Sequence, residues 1–176
     1  MADFKQAFQL VLKHEGGYGF DKDDPGGETY KGIARNVNSK WEGWVKVDQL
    51  KKQASFPKNL DTDGDLQESV EHFYQTNYWD RVQGDKIISQ NIANSIFDFG
   101  VNAGVGTSNS LAQMVVDVKP DGVLGPGSLT AINNISEELF LASFTIAKIS
   151  RYMSIVEKRP TSRKYFYGWV RRALGK

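Results

Sequence analysis

Apolar residues recur at the spacing of an α-helix along most of this chain, and this periodicity predicts a mainly helical fold. The first helix is expected to begin near Phe4, with Asp3 as its N-cap. It is expected to end at Glu15, because Gly16 and Gly17 follow. Further helices are predicted near residues 66–78, 91–102, 108–118, 136–158 and 162–174, with a short helix after Pro126.

One segment, residues 18–35, lacks this periodicity and is rich in turn-forming residues. It contains four glycines, one proline and four acidic residues. Glycine and proline favour turns, so we expect an ordered loop or short hairpin directly after the first helix.

The run from Asp61 to Asp65 is similar to the start of a calcium-binding loop. It lacks the glycine at the sixth position and the glutamate at the twelfth that such a loop needs. A capped turn is the better interpretation, with Asp65 and Glu68 at the spacing of a capping box. His14 and His72 have no partners at metal-ligand spacing, so no metal site is predicted.

The charge balance and composition exclude several classes of function. The 176 residues include 22 Lys and Arg against 21 Asp and Glu, so no global field attracts nucleic acid or a membrane surface. There is no cysteine, which excludes disulfides and thiol chemistry. No apolar run approaches the ~18 residues of a membrane span, and no signal peptide is recognisable. We therefore expect synthesis in the cytoplasm, no nucleic-acid partner and no stable membrane insertion.

Basic residues are concentrated near the C-terminus. Seven lysines and arginines, and no acidic residue, lie between Lys158 and Lys176. Such a segment is either a solvated helix face or an anchor for an anionic polymer.

Glu15 is the first candidate for catalysis. The glycines after it are expected to hold its carboxyl group at a helix-to-loop corner, facing an acidic and hydroxyl-bearing loop. The negative end of the helix dipole favours the protonated form of a carboxyl group there, and partial burial acts in the same direction. A protonated carboxyl group can donate to a glycosidic oxygen, which indicates glycosidic-bond cleavage. The alternative is an exposed glutamate before a glycine C-cap.

Asp24 and Thr29 are candidate helpers of Glu15. Asp24 precedes Pro-Gly-Gly in a restricted loop, where its carboxylate could orient a water molecule or stabilise an oxocarbenium charge. Asp21 and Asp23 are rival positions, and Asp24 could instead close an Asx turn. The Thr29 hydroxyl could position the water or make a structural hydrogen bond.

Several other side chains are candidates for contacting a sugar. The aromatic residues that could stack on a sugar ring or belong to the core are Tyr18, Tyr30, Trp41 and Trp44. Trp79 and Trp169 are predicted to be core residues, because they lie in apolar helical patterns. Asp98 and Asn102 lie one helical turn apart, so one helix face could present both to a sugar. Asn102 could instead cap its helix before Gly104.

Three motifs in the first half resemble glycoside hydrolase family 108, lysozyme-like N-acetylmuramidases in which the Glu-Gly-Gly-Tyr glutamate is the expected catalytic residue. The motifs are Glu15–Tyr18, Asp24–Thr29 and Lys31–Ile33. The order Glu15, Asp24, Thr29 is also similar to the Glu–Asp–Thr triad of bacteriophage-type lysozymes. The segment from Asp24 to Thr29 is one residue shorter here than in that triad.

Three motifs in the second half resemble the peptidoglycan-binding domain that accompanies this family, and the two resemblances together cover nearly the whole chain. The motifs are Phe97–Gly104, Asp121–Pro126 and Gly168–Arg172. The resemblance implies a lysozyme-like helical fold without a cofactor. Residues 1–90 would form the catalytic region, and residues 91–176 a helical peptidoglycan-binding region packed into the same globular unit.

The resemblance also implies an activity. The expected reaction is hydrolysis of the muramic acid–glucosamine linkage of peptidoglycan, with Glu15 as general acid assisted by Asp24 and Thr29. The expected substrate-binding residues are Tyr18, Tyr30, Asp98 and Asn102. The expected partner is the glycan strand of the cell wall, reached after export or release by a helper such as a holin. Lytic transglycosylase chemistry is the near variant, and a non-catalytic peptidoglycan-binding or secretion-associated protein is the alternative.

Overall fold

The computed structural model describes residues 1–13, 15–21 and 26–175, so the candidate Asp24 lies outside the described residues. Within them the chain forms eight α-helices and one three-stranded antiparallel sheet. The prediction of a mainly helical fold is therefore confirmed. The chain divides into two compact units. The N-terminal unit is Phe4–Asp80, and the C-terminal unit combines Met1–Asp3 with Arg81–Lys176.

The N-terminal unit contains three α-helices and the sheet. In chain order they are α1 (Phe4–Leu12), β1 (Tyr18–Phe20), β2 (Glu28–Tyr30), β3 (Ile33–Ala34), α2 (Gly43–Leu50) and α3 (Gly64–Tyr74). A 3-10 turn covers Lys58–Leu60, and a π-helical turn, Gln75–Trp79, continues α3. The sequence did not predict α2, whose eight residues are too few for a clear helical pattern.

One apolar face of α1 packs into this unit. The rings of Phe4 and Phe8 lie 5.8 Å from Trp79 and 5.5 Å from Tyr74, respectively, measured between ring centroids. Trp79 is fully buried, which confirms its prediction as a core residue. These contacts fix α1 against the end of α3.

The helix α1 ends three residues before its predicted end. Its last residue is Leu12, and the N–H of Glu15 donates to the Leu12 carbonyl oxygen at 3.3 Å. This hydrogen bond spans three residues rather than four, a tightening that is common at helix ends. Glu15 therefore lies in the turn after the helix.

The sheet confirms the expected hairpin. Tyr18 of β1 is opposite Tyr30 of β2, and Gly19 is opposite Thr29. β2 then pairs with β3 through a two-residue turn made of Lys31 and Gly32. Both turn residues have positive φ, 44° and 76°, which is the geometry of a type I′ turn.

The helix α3 is capped at a different residue from the one predicted. The Asp63 carboxylate accepts a hydrogen bond from the N–H of Leu66 at 3.0 Å. Asp65 instead forms an ion pair with Lys46 at 2.8 Å. The predicted capping box of Asp65 and Glu68 is therefore wrong, because the helix begins early enough for Asp63 to serve as its N-cap.

The C-terminal unit contains five α-helices. They are α4 (Gln90–Ala103), α5 (Val105–Val115), α6 (Pro126–Asn134), α7 (Glu137–Lys158) and α8 (Arg163–Ala173). The predicted bounds of α4, α7 and α8 differ from these by one residue, whereas α5 begins three residues earlier than predicted. The helix α4 is buried along most of its length, and α7 packs against α4, α5 and α8.

A buried amide organises the turn that precedes α6. The amide nitrogen of Gln113 donates to Asp121 Oδ1 at 2.8 Å and to Ser128 Oγ at 3.0 Å. Its oxygen accepts from the N–H of Gly122 at 2.9 Å. Gly122 has a φ of 80°, and a Cβ built there would lie 3.1 Å from the Gly106 carbonyl oxygen. The Asp121–Pro126 motif thus stabilises the fold of this unit.

By length and composition alone, α7 could cross a membrane. A core helix of a folded domain passes the same test, and Phe140 and Phe144 of α7 are fully buried in the C-terminal unit.

Candidate active site

The Glu15 carboxylate occupies a space left open by a glycine. Glu15 is half-buried, and its carboxylate lies against Gly32 of the type I′ turn. A Cβ built on Gly32 would overlap Glu15 Oε2, and it would lie 3.0 Å from Glu15 Cδ and 2.7 Å from the Tyr74 hydroxyl oxygen. Glycine is therefore needed at position 32 for two reasons, its positive φ and its contact with Glu15.

The turn that holds Glu15 is anchored to neighbouring elements. The Tyr74 hydroxyl of α3 donates to the Lys31 carbonyl oxygen at 2.7 Å. The Lys31 N–H donates to the Gly17 carbonyl oxygen at 3.2 Å, and its ammonium donates to the side chain of Gln67. The segment after Glu15, the hairpin turn and α3 are thus tied together around one carboxylate.

The surroundings of Glu15 are those of the hairpin turn rather than those of a helix end. The influence of a helix dipole declines within the last helical turn, and Glu15 lies beyond the end of α1. Its described surroundings are instead Gly32 of the hairpin turn, against which the half-buried carboxylate lies, and the turn that Tyr74 anchors. Sequence reasoning missed Tyr74, although the Lys31–Ile33 motif pointed to the turn.

Thr29 lies on the strand that leads into this turn. Its hydroxyl donates to the Gly19 carbonyl oxygen on β1 at 3.5 Å. The side chain is half-buried. The candidate Asp24 lies in sequence between β1 and β2, outside the described residues. The roles of Thr29 and Asp24 remain predictions.

Glu28 is a buried carboxylate that the sequence did not single out. Its carboxylate forms an ion pair with the Arg35 guanidinium, with Arg35 Nε 2.7 Å from Glu28 Oε2. It forms a second ion pair with the Lys51 ammonium. Arg35 in turn pairs with Asp48 of α2 at 2.6 Å. This chain of charges joins the hairpin to α2 and to the residue after it, so Glu28 has a structural role in positioning β2.

Tyr18 and Tyr30, both predicted to bind substrate, differ in exposure. Tyr30 is 1% exposed, and its hydroxyl donates to the Leu60 carbonyl oxygen at 3.1 Å. Burial raises the pKa of this hydroxyl to about 12. Tyr18 is half-buried with its ring edge on Phe56 at a centroid distance of 4.7 Å. Burial and a hydrogen bond with Glu28 raise the pKa of the Tyr18 hydroxyl. Of the two, only Tyr18 has a partly exposed ring.

The tryptophans also separate into core and surface positions. Trp44 is buried, and its indole N–H donates to the Asn38 carbonyl oxygen at 2.9 Å. Trp41 is half-buried and lines a groove. Trp169 was predicted to be a core residue, but it is half-buried, because α8 lies at the surface of its unit. Its ring lies 5.3 Å from the Tyr152 ring, measured between centroids, in a tilted arrangement.

In the C-terminal unit, Asp98 and Asn102 have partners within the protein. Asp98 forms an ion pair with Arg172 of α8 at 2.8 Å. The Asn102 amide donates to the Tyr152 hydroxyl of α7 at 3.2 Å. These contacts join α4, α7 and α8, and they use one arginine of the basic C-terminal segment. Their proposed contact with a sugar remains a prediction.

Lys148 is buried beside this cluster. Its ammonium donates to Ser95 Oγ at 2.9 Å and lies 4.8 Å from the centre of the Phe144 ring. Burial lowers the pKa of Lys148 to about 8. Among the residues that the structure describes, no group of His, Cys, Asp and Glu side chains could hold a metal ion.

Comparison with known families covers both units. Residues 8–104 match the model of the Glycosyl hydrolase 108 family, and residues 105–174 match the model described as Predicted Peptidoglycan domain. A solved structure of Brucella abortus SagA is similar over 98% of this chain and 94% of that chain, with 26% sequence identity and a TM-score of 0.64. No curated protein sequence matches the chain significantly.

These matches define a class of mainly helical proteins that act on peptidoglycan as hydrolases or binders. Within that class, this chain belongs to the Glycosyl hydrolase 108 family, whose model matches more than half of its length.

Proposed function

We propose that this protein is an N-acetylmuramidase that hydrolyses the glycan backbone of peptidoglycan, with Glu15 as its general acid. The observation that carries the proposal is the fit of the Glu15 carboxylate against Gly32, in a turn that the Tyr74 hydroxyl anchors.

The acid role needs a carboxyl group held in a fixed place. The Tyr74 hydroxyl anchors the turn against which Glu15 lies, because it donates to the Lys31 carbonyl oxygen at 2.7 Å. In this role the protonated Glu15 carboxyl group donates its proton to the glycosidic oxygen as the bond to the muramic acid carbon breaks.

The second half of the reaction needs a water molecule and stabilisation of positive charge on the sugar. We assign these tasks to Asp24, assisted by Thr29, on the basis of their spacing from Glu15 and of the family resemblance. After the bond breaks, water adds to the sugar carbon and its proton passes to a carboxylate. The hydrolysis product carries a reducing muramic acid end.

The direct test compares the wild type with Glu15→Gln in a clearing assay on purified peptidoglycan. Glutamine keeps the size of the side chain but cannot donate an acidic proton, so we expect clearing to fall by at least about 100-fold. Glu68→Gln, at an exposed position of α3, is the matched control and should clear normally. Equal clearing by wild type and Glu15→Gln would contradict the proposal.

Two other outcomes would each replace the proposal with a related one. Mass analysis that finds anhydro-muramic ends would identify a lytic transglycosylase, which needs the acid but not the attacking water. Binding of peptidoglycan by the wild type without any clearing would identify a non-catalytic binder. The match of residues 105–174 to a peptidoglycan domain is compatible with binding in all three cases.

A further inference from the structure

A groove of about 590 Å³ lies in the N-terminal unit, and the site around Glu15 does not use it. It is formed by residues 37–42 and by side chains at the end of α3 and in the π-helical turn, among them Phe73, Thr76 and Asn77. Its volume lies within the range of about 300–1,000 Å³ that is typical of small-molecule sites. Turns of π-helix are also frequent at functional sites.

Glu15, Gly32 and Tyr74 are not among the described residues that line the groove. Phe73 lines it, whereas the neighbouring Tyr74 donates to the Lys31 carbonyl oxygen in the turn beside Glu15. Consecutive residues of a helix project about 100° apart around its axis, so α3 presents different side chains to the groove and to this turn. We therefore treat the groove as a candidate site of its own.

Trp41 gives the groove a fixed aromatic wall. Its indole N–H donates to the Ser69 carbonyl oxygen at 3.3 Å. Its ring packs edge-to-face with the Trp44 ring, with the two ring centroids 5.1 Å apart. A Cβ built on Gly43 would overlap the Trp41 ring, so the ring rests directly on that glycine backbone. The partly exposed indole is thus held in place before any ligand binds, which lowers the entropy cost of binding.

The polar side chains of the groove are available to a ligand. Among the described residues, the side chains of Lys40, Glu42 and His72 make no hydrogen bond or ion pair. The Asn77 amide donates through its nitrogen to the Phe73 carbonyl oxygen at 2.9 Å, which leaves its oxygen as an acceptor. Charged groups, an imidazole and an amide oxygen therefore border the Trp41 ring, and they include both hydrogen-bond donors and acceptors.

We propose that this groove binds an N-acetylated saccharide of the peptidoglycan strand as a second site, apart from Glu15. A sugar ring has an apolar C–H face for the indole, and hydroxyl and amide groups for the polar border. A polyanion would meet Glu42 as well as Lys40, and a lipid chain would leave these charges unpaired. The inference rests on the proposed function, and it adds that the catalytic unit holds the strand at a second point.

The test uses the full chain with Glu15→Gln, so that the ligand stays intact. A soluble β-1,4-linked trimer of N-acetylglucosamine is titrated while NMR follows the indole N–H signals of the four tryptophans. Trp41→Phe assigns the Trp41 signal. We expect that signal to shift with the titration. A Trp41 signal that stays still throughout the titration would overturn the proposal.

Blocking variants separate the groove from the catalytic site. Ser39→Arg and Thr76→Arg place a large side chain at exposed positions of the groove, and Gln49→Arg on α2 is the matched control outside it. In the Glu15→Gln background each blocking variant should weaken trimer binding at the Trp41 signal about tenfold, which corresponds to about 1.4 kcal/mol. Unchanged binding by both blocking variants would contradict the proposal.

Clearing assays keep this inference distinct from the proposed function. With Glu15 restored, a blocking variant should show a raised KM on peptidoglycan and an unchanged kcat, because only binding of the strand is affected. A wild type that does not clear peptidoglycan would contradict the muramidase proposal itself. If the wild type clears peptidoglycan but the trimer does not shift the Trp41 signal, only the second site is contradicted. A shift caused by a stem peptide but not by the trimer would overturn the saccharide assignment.

Discussion

At the residue scale, Gly32 is the position where local backbone geometry and the candidate chemistry meet. Its φ of 76° suits glycine, and its missing Cβ makes room for the Glu15 carboxylate. The contact joins residues distant in sequence, so periodicity and turn propensity could not predict it. Sequence reasoning identified Glu15 and the Lys31–Ile33 motif, but not the reason that they belong together.

Gly32→Ala tests this contact. We expect folding to survive with a loss of about 1–2 kcal/mol from the left-handed backbone. Clearing activity should fall by about 100-fold, because the added methyl group displaces the acid. Gly175→Ala is the control for positive φ alone, since Gly175 has a φ of 69° and open space at its Cβ position. Thermal unfolding and clearing assays on both variants check the prediction, and equal activity losses would contradict it.

Lys148 is a second residue whose burial has a measurable consequence. Its pKa is lowered from 10.5 to about 8 by burial. Between these pH values the unfolded chain binds more protons than the folded chain, so stability increases with pH. The cost of burying the charge is fully present below about pH 8 and disappears as the pH rises toward 10.5.

Lys148→Met should therefore raise the free energy of unfolding at about pH 7, by about 1–3 kcal/mol. The gain should shrink between about pH 8 and pH 10, because the wild-type lysine loses its charge there. Urea unfolding of Lys148→Met and wild type at about pH 7 and at about pH 10 measures the difference in free energy of unfolding. Lys158→Met, at an exposed position of the same helix, is the control and should show no such pH dependence. A gain for Lys148→Met that is equal at both pH values would count against this account.

At the element scale, long amphipathic segments could be predicted and short ones could not. The helices α4 and α7 have enough turns for the apolar pattern to fix their bounds. The eight-residue α2 and the early end of α1 depend on tertiary contacts and on single hydrogen bonds. The cap of α3 was assigned to the wrong residue because Asp63 and Asp65 are both suited to capping, and only the start of the helix decides between them.

The cap gives a prediction for α3, the helix that anchors the Lys31–Gly32 turn and lines the groove. Asp63→Ala removes the acceptor for the Leu66 N–H and should lower stability by about 1 kcal/mol. Asp65→Ala removes only an exposed ion pair with Lys46, so its effect should be smaller. Denaturant unfolding of both variants is the measurement. A larger loss for Asp65→Ala would show that the cap is misassigned.

At the scale of the whole molecule, the resemblance predicted the family and the mainly helical class, both of which are confirmed. Its individual site residues could not be placed from sequence, because their surroundings come from other elements. Tyr30 is in the core, and Asp98 and Asn102 are bonded to residues of α8 and α7. The motif Asp121–Pro126 identified the family through a turn that Gln113 holds in place.

The proposed muramidase activity depends on Glu15, which we propose donates the proton as the glycan strand is cleaved. The most direct measurement combines co-sedimentation with purified peptidoglycan and mass analysis of the released fragments, for wild type and Glu15→Gln. The account predicts equal binding by both proteins, and fragments with reducing muramic acid ends from the wild type alone. Release of the same fragments at the same rate by Glu15→Gln would contradict it.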